Sequence, residues 1–336
     1  MWRKLIWGGV WLVVAAGAQA TDWSGLRLSS AHAIVVDEDT GEVLFEKNSG
    51  TAAPIASLTK LMTALLVLDA RQDPNELIEI TDDDLDRLKN TRFGVPVGTR
   101  ATRAALLELA LIASDNRAAS ALGRHYPGGL TGFRAAARMK AISLGLEHTV
   151  IEEPTGLSPA NRSSAQDMVK LVRVAAGYPE INEISSRSRH LVALDGRLLP
   201  VRNTNGLVGA PGWNILLSKT GYTNEAGRCV SMRLQAAGRT VAVVLMGAMG
   251  SAQRALDATN IRHWLAGEPL VDKLAPARQA IAAKAAGPRK GKRGAKAGPA
   301  RVAADGVPAW GTTTLTPLAA TAAPAMRHAA LDDDGE

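Results

Sequence analysis

The 336-residue chain is 46% hydrophobic and 21% charged, enough apolar material for one large domain or two ordinary ones, and its single cysteine, Cys229, excludes an internal disulfide framework or a multi-cysteine metal or cluster site. Its six histidines form no HxxxH or HxH pair, so no metal or cofactor is expected, and 4% aromatic residues are too few for a base-stacking nucleic-acid surface. The formal charge of +7 belongs to the ends: Arg3 and Lys4 at one, ten Lys/Arg against six Asp/Glu in 272–336 at the other, with 21–271 near neutral.

Residues 1–20 read as a secretory signal peptide. Arg3 and Lys4 form the charged start, Leu5 to Ala16 the apolar run, and Ala18-Gln19-Ala20 the small-residue cleavage site. The run is shorter than the ~20 residues that span a bilayer, and no later stretch is long and apolar enough. The mature protein is therefore expected to be exported, soluble or loosely membrane-associated; the pattern suits a bacterial periplasm.

Ala33–Asp37 and Glu42–Glu46 predict a hairpin around the turn Asp39-Thr40-Gly41. Ser57 then opens a predicted helix to about Asp69 with almost no polar face, as expected of a helix buried in the middle of a domain. Residues 74–200 read as mostly helical, with 3.6-residue periodicity over Ala101–Ala121 and Ser164–Ala176 and with Glu108 and Asp167 on polar faces. Strand patterns return at Asn214–Ser218, Arg228–Leu234 and Thr240–Met246, before a closing helix at Ser251–Leu265. Strands at both ends of a helical middle predict an α+β body, 21–268, with one antiparallel sheet of about five strands and an inserted helical lobe. From Pro269 to Glu336 the composition turns basic and Ala/Pro-rich, around Arg289-Lys290-Gly291-Lys292-Arg293, and 275–336 are expected to be disordered. This tail is either a solubilising appendage or a contact for an anionic polymer or membrane surface.

Three short motifs follow in order: Ser57-Leu58-Thr59-Lys60, Ser114-Asp115-Asn116 and Lys219-Thr220-Gly221. A serine and a lysine one helical turn apart share a face, which brings the amine to the hydroxyl. Apolar neighbours such as Leu58, Leu61 and Met62 desolvate that lysine and favour its neutral form, a general base. Ser57 at a helix N-terminus also sits where N–H groups stabilise a developing oxyanion. Ser114 can relay a proton, and Asn116 can hold Lys60 or a substrate amide. Lys219 is expected to end a strand whose edge pairs with an extended peptide. There Lys219 attracts a carboxylate, Thr220 donates a hydrogen bond and Gly221 lets backbones approach. The N–H groups of Ser57 and Tyr222 complete an expected oxyanion hole.

The three motifs in this order resemble those of the low-molecular-weight penicillin-binding proteins of the D-alanyl-D-alanine carboxypeptidase kind. Longer stretches agree, among them Pro54–Ala64, Ala113–Ala119 and Thr155–Ser158; Arg202–Asn205, Gly212–Ile215 and Ser218–Cys229 are most similar to the D-alanyl-D-alanine endopeptidase branch, the penicillin-binding protein 7 type. The resemblance covers about 25–266. It implies a serine acyl-enzyme that cuts D-Ala–diaminopimelate cross-links of peptidoglycan and is acylated by β-lactam antibiotics. The absence of the extra β-domain and amphipathic helix that carboxypeptidase members often carry favours the endopeptidase. A carboxypeptidase is the main rival. A β-lactamase lacks support, because Glu153 is followed by Pro-Thr-Gly-Leu and not by x-x-Leu-Asn; an idle binder of cell-wall peptides would not keep every motif residue.

Overall fold

A computed structural model describes residues 25–91 and 94–271. The signal peptide and nearly all of the basic tail lie outside the described residues. In chain order the elements are β1 (His32–Asp37), β2 (Val43–Lys47), β3 (Ala53–Pro54), α1 (Thr59–Asp69), β4 (Leu77–Glu79), β5 (Arg100–Thr102), α2 (Arg103–Glu108), α3 (Asn116–Arg124) and α4 (Gly129–Ser143). There follow β6 (Arg162–Ser163), α5 (Ala165–Ala175), α6 (Pro179–Ser185), β7 (Arg189–Leu194), β8 (Arg197–Arg202), β9 (Asn214–Thr223), β10 (Gly227–Ala236), β11 (Arg239–Ala248) and α7 (Ser251–Leu265).

The main sheet has five antiparallel strands in the order β2-β1-β11-β10-β9, drawn from both ends of the described chain as expected. Successive residues of a strand face opposite sides. Ala33 and Val35 of β1, with Val241, Val243 and Leu245 of β11, therefore pack on one side with Ala258 and Ile261 of α7. Ile34 and Val36, with Ala242, Val244 and Met246, join the helical lobe on the other. Both faces are covered, which is why the central strands read as unbroken apolar runs. Helix α1 lies among α3, α4 and α5, so every residue from Thr59 to Val67 is buried. The turn from β1 to β2 is made by Asp37, whose Oδ1 accepts from the Asp39 and Thr40 nitrogens at 3.0 and 3.2 Å.

Several sequence expectations need correction. The stretch 74–200 is not mostly helical: β4 pairs with β5, and β7 with β8 in a second hairpin. The periodic run Ala101–Ala121 is not one helix. It begins in β5, enters α2 with the Thr102 hydroxyl accepting from the Ala105 nitrogen at 3.1 Å, and widens into a π-helical turn over Leu109–Ala113. Asp167 does not sit on a polar face. It is buried, and its Oδ2 accepts from the His148 nitrogen and the Thr149 hydroxyl at 2.7 and 2.9 Å.

Candidate active site

Ser57 stands in a single 3-10 turn, Ala56–Leu58, immediately before α1 and not in its first turn. The turn is tightly held from both sides. Ala56 has φ 47°, a left-handed conformation unfavourable to a residue with a β-carbon. A β-carbon on Gly156 would fall 2.0 Å from the Ala56 carbonyl oxygen, and one on Gly221 would fall 2.9 Å from the Ser57 nitrogen. Only glycine fits at either place. Local strain of this kind persists only where the surroundings over-determine it.

One turn on from Ser57, at the start of α1, Lys60 is 1% exposed. Its Nζ donates to Ser57 Oγ at 3.0 Å, to Asn116 Oδ1 at 2.8 Å and to the Thr155 carbonyl at 2.7 Å. Burial lowers its pKa to about 8, against the opposing fields of Glu153, Asp115 and Asp86. Among the described residues no carboxylate forms a salt bridge with it. Asn116 Oδ1 and the Thr155 carbonyl can only accept. A neutral Lys60 amine would give its two N–H bonds to them and turn its lone pair to the Ser57 hydroxyl.

The π-helical turn ends at Ser114, which takes a left-handed conformation (φ 59°, ψ 32°). Such widened turns recur at functional sites because they re-aim the residues that follow. Three consecutive side chains then go three ways. Ser114 Oγ meets Lys219 Nζ at 2.8 Å. Asp115 caps α3, its Oδ1 accepting from the Ala118 nitrogen at 2.9 Å, while its Oδ2 accepts from the Val95 nitrogen at 3.0 Å. Asn116 reaches Lys60.

The third motif is placed differently from the expectation. Lys219 does not end its strand: β9 continues to Thr223, with Lys219 opposite Ser231 and Gly221 opposite Cys229 on β10. Its other side is the edge of the five-stranded sheet and runs beside the Ser57 turn. The strand persists because β10 supplies a partner throughout, so Gly221 serves close approach and not termination. Lys219 is also 1% exposed, and its Nζ donates to Ser114 Oγ and to the Thr220 carbonyl, both at 2.8 Å. Burial, then repulsion from Lys60 and Arg254, holds its pKa well below the ordinary lysine range. Burial therefore does not distinguish the two lysines; contact with Ser57 does. Thr220 Oγ1 lies 2.6 Å from Thr204 Oγ1. Tyr222 follows on the same strand with its ring exposed, the Arg228 guanidinium 3.5 Å from the ring centre.

The structure thus brings Ser57, Lys60, Ser114, Asn116, Lys219, Thr220 and Gly221 into one cluster from three separate parts of the chain. Motif reasoning gave no role to the Thr155 carbonyl, to Thr204, or to Asn205, whose Nδ2 donates to Ser218 Oγ at 2.9 Å. Backbone acceptors carry no residue signature. The run Asn203-Thr204-Asn205, rich in side chains that hydrogen-bond locally, was the available signal for the rest.

The sheet, the lobe and the Ser57–Lys60 pair define a serine hydrolase of the penicillin-binding fold. A sequence model of the D-alanyl-D-alanine carboxypeptidase family matches residues 17–250. The chain belongs to this family and is a serine-type DD-peptidase. The D-alanyl-D-alanine endopeptidase of Escherichia coli is 40% identical over 254 residues, 75% of this chain and 82% of that one. That of Pseudomonas aeruginosa is 40% identical over 241 residues, 71% of this chain and 78% of that one. A penicillin-binding protein of Listeria monocytogenes, solved in its ampicillin-bound form, superposes with a TM-score of 0.63 at 27% identity, covering 71% of this chain and 98% of that one.

Proposed function

We propose that the protein is a D-alanyl-D-alanine endopeptidase that opens D-Ala–diaminopimelate cross-links in peptidoglycan. The observation that carries the chemistry is the 3.0 Å contact from Lys60 Nζ to Ser57 Oγ inside a buried site. Neutral Lys60 takes the hydroxyl proton as Ser57 Oγ bonds to the carbonyl carbon of the D-Ala joined to diaminopimelate. The oxyanion is received by the Ser57 and Tyr222 N–H groups. The carbon–nitrogen bond breaks as the proton returns to the leaving amine through Ser114, which touches Lys219. Water then attacks the ester, giving up a proton to Lys60, which passes it to Ser57 Oγ as the ester bond breaks and the acid leaves. Asn116 holds Lys60. The substrate extends along the free edge of β9, with Thr220 and Gly221 beside its backbone. Its terminal carboxylate supplies the counter-charge that buried Lys219 lacks. A β-lactam follows the first half of this course, and its ring-opened amine stays attached to the acyl group.

The endopeptidase reading is supported by the two 40% identical relatives that bear that name. The test is a digest of purified sacculi, with loss of cross-linked dimers and release of free D-Ala both measured. Loss of dimers with little free D-Ala is expected. Free D-Ala with dimers intact would make the protein a carboxypeptidase, and no labelling by fluorescent penicillin would make it an idle binder. The setting is the periplasm, reached by the signal peptide; among the described residues no helix is long and apolar enough to cross a membrane.

A further inference from the structure

The loop beside Lys60 is wound around the carboxylate of Glu153. Its Oε2 accepts from the Thr155 nitrogen at 2.7 Å and the Thr155 hydroxyl at 2.5 Å. Its Oε1 accepts from the nitrogens of Gly156 and Ser158 at 2.6 and 3.3 Å and from Asn161 Nδ2 at 3.1 Å. Asn161 Nδ2 also reaches Thr59 Oγ1 at 3.1 Å, which ties the carboxylate to the helix that bears Lys60. The outcome is a set of aimed backbone groups. The Thr155 carbonyl faces Lys60 Nζ, the Pro154 carbonyl accepts from Thr63 Oγ1 at 2.7 Å, and Gly156 presses on Ala56.

We propose that Glu153 is a positioning residue for the Lys60 base: it fixes the carbonyl that orients the amine, and its negative charge sets how readily that amine gives up its proton. Five donors fill the roughly four lone-pair sites of a carboxylate. Glu153 is therefore not free to activate water, as the second base of a β-lactamase would. The charged groups that act on Lys60 are Glu153, then Asp115 at the start of α3 and Asp86, all favouring the ammonium; the Lys60 charge in turn pushes down the pKa of Lys219 on β9. The proposal rests on the reading of Ser57 as nucleophile and Lys60 as base.

The experiment is the pseudo-first-order rate constant of acylation by a fluorescent penicillin, followed across pH. This constant reports the folded molecules alone, whatever their fraction. In the intact protein it should rise through a midpoint near the Lys60 pKa. In Glu153→Gln the ammonium loses its foremost counter-charge, so the midpoint should move down by about one unit. Its plateau should fall about 10-fold as the Thr155 carbonyl drifts. Glu153→Asp keeps the charge on a shorter arm, so its midpoint should stay while its plateau falls. A Gln variant that is slower at every pH with an unmoved midpoint would overturn the proposal. So would an Asp variant as fast as the intact protein, which decides the matter if the Gln variant does not fold. Mapping the label on the intact protein separates the two readings: label away from Ser57 defeats the acyl-enzyme assignment whatever Glu153 does.

Discussion

Gly221 stands against Ser57 so closely that a β-carbon on it would lie 2.9 Å from the Ser57 nitrogen and 3.0 Å from the Ile55 carbonyl oxygen. The edge strand of the sheet and the turn that carries Ser57 therefore touch backbone to backbone. Gly221→Ala must push them apart by several tenths of an ångström. Since a misplacement of about 1 Å at a reacting centre costs on the order of 100-fold in rate, a displacement of several tenths of an ångström should cost about 10-fold. The expected outcome is a folded protein whose penicillin acylation slows by about that factor, read from labelling time courses. Unchanged acylation would mean that the two backbones need not touch.

Ser57→Ala removes one of three partners of Lys60 Nζ and leaves Asn116 and Thr155 in place. Stability should change by no more than about 1 kcal/mol, the net worth of one hydrogen bond. Hydrolysis and covalent labelling should both vanish. Denaturant melts and gel fluorescence check the two halves, and persistent label on another serine would unseat Ser57.

Lys60→Arg keeps a charge that does not dissociate near neutrality, so acylation should collapse. Lys219→Arg keeps an attraction for the substrate carboxylate and should slow acylation less. Equal losses would leave the division of roles between the two lysines without support.

The same burial has a thermodynamic consequence. The folded pKa of Lys60 is about 8 against 10.5 for the free side chain, so between these values the unfolded chain binds the extra proton. Stability must then rise with pH across that window, with Lys219 adding in the same direction. The Lys60 share is about 3 kcal/mol, absent below the window and present above it. Urea melts at pH 8 and pH 10 should show the rise in the intact protein and a smaller one in Lys60→Met. A flat profile in the intact protein would refute the desolvation argument.

Asp115 and Asn116 are adjacent yet should behave oppositely. Asp115→Ala loses the α3 cap and the Val95 contact, at a cost of about 1–2 kcal/mol in stability. Asn116→Ala frees Lys60 and should lower acylation with little change in melting. Paired melting and acylation measurements would show the contrast, and a melting loss confined to Asn116→Ala would reverse the assignment.

The basic tail, with eight Lys/Arg and no acid between Arg278 and Arg301, is proposed to hold the enzyme near anionic cell-wall polymers. Truncation after Leu274 should lower the rate on sacculi at low salt and spare a small soluble peptide. A sacculus rate unaffected by truncation at low salt would reduce the tail to a solubilising appendage.

The sheet was legible because its central strands are buried on both faces, so Ala33–Val36 and Val241–Met246 are unbroken apolar runs. The motif residues were legible because their chemistry is unusual at those spacings. The β7–β8 hairpin was missed although Asp195-Gly196, at φ 46° and 71°, is a favoured two-residue turn. Its leucines and arginines are interleaved too irregularly to alternate, since much of β8 is exposed. The π-helical turn before Ser114 could not be read at all. It changes the count of residues per turn by packing, without a composition of its own. The supporting carbonyls of Pro154 and Thr155 were equally silent.

The pairing of His32 with Met246 fixes the order in which the molecule can be made. An early strand, β1, has its main partner in one of the last, so the sheet stays open until almost the whole catalytic body is available. Until β11 is available, β1 has only β2 as a partner and its other edge stays open. Long-range closure of this kind is slow. It also means that the Ser57 turn and Gly221, far apart in the chain, meet only once β9 has been added to this late-closing sheet.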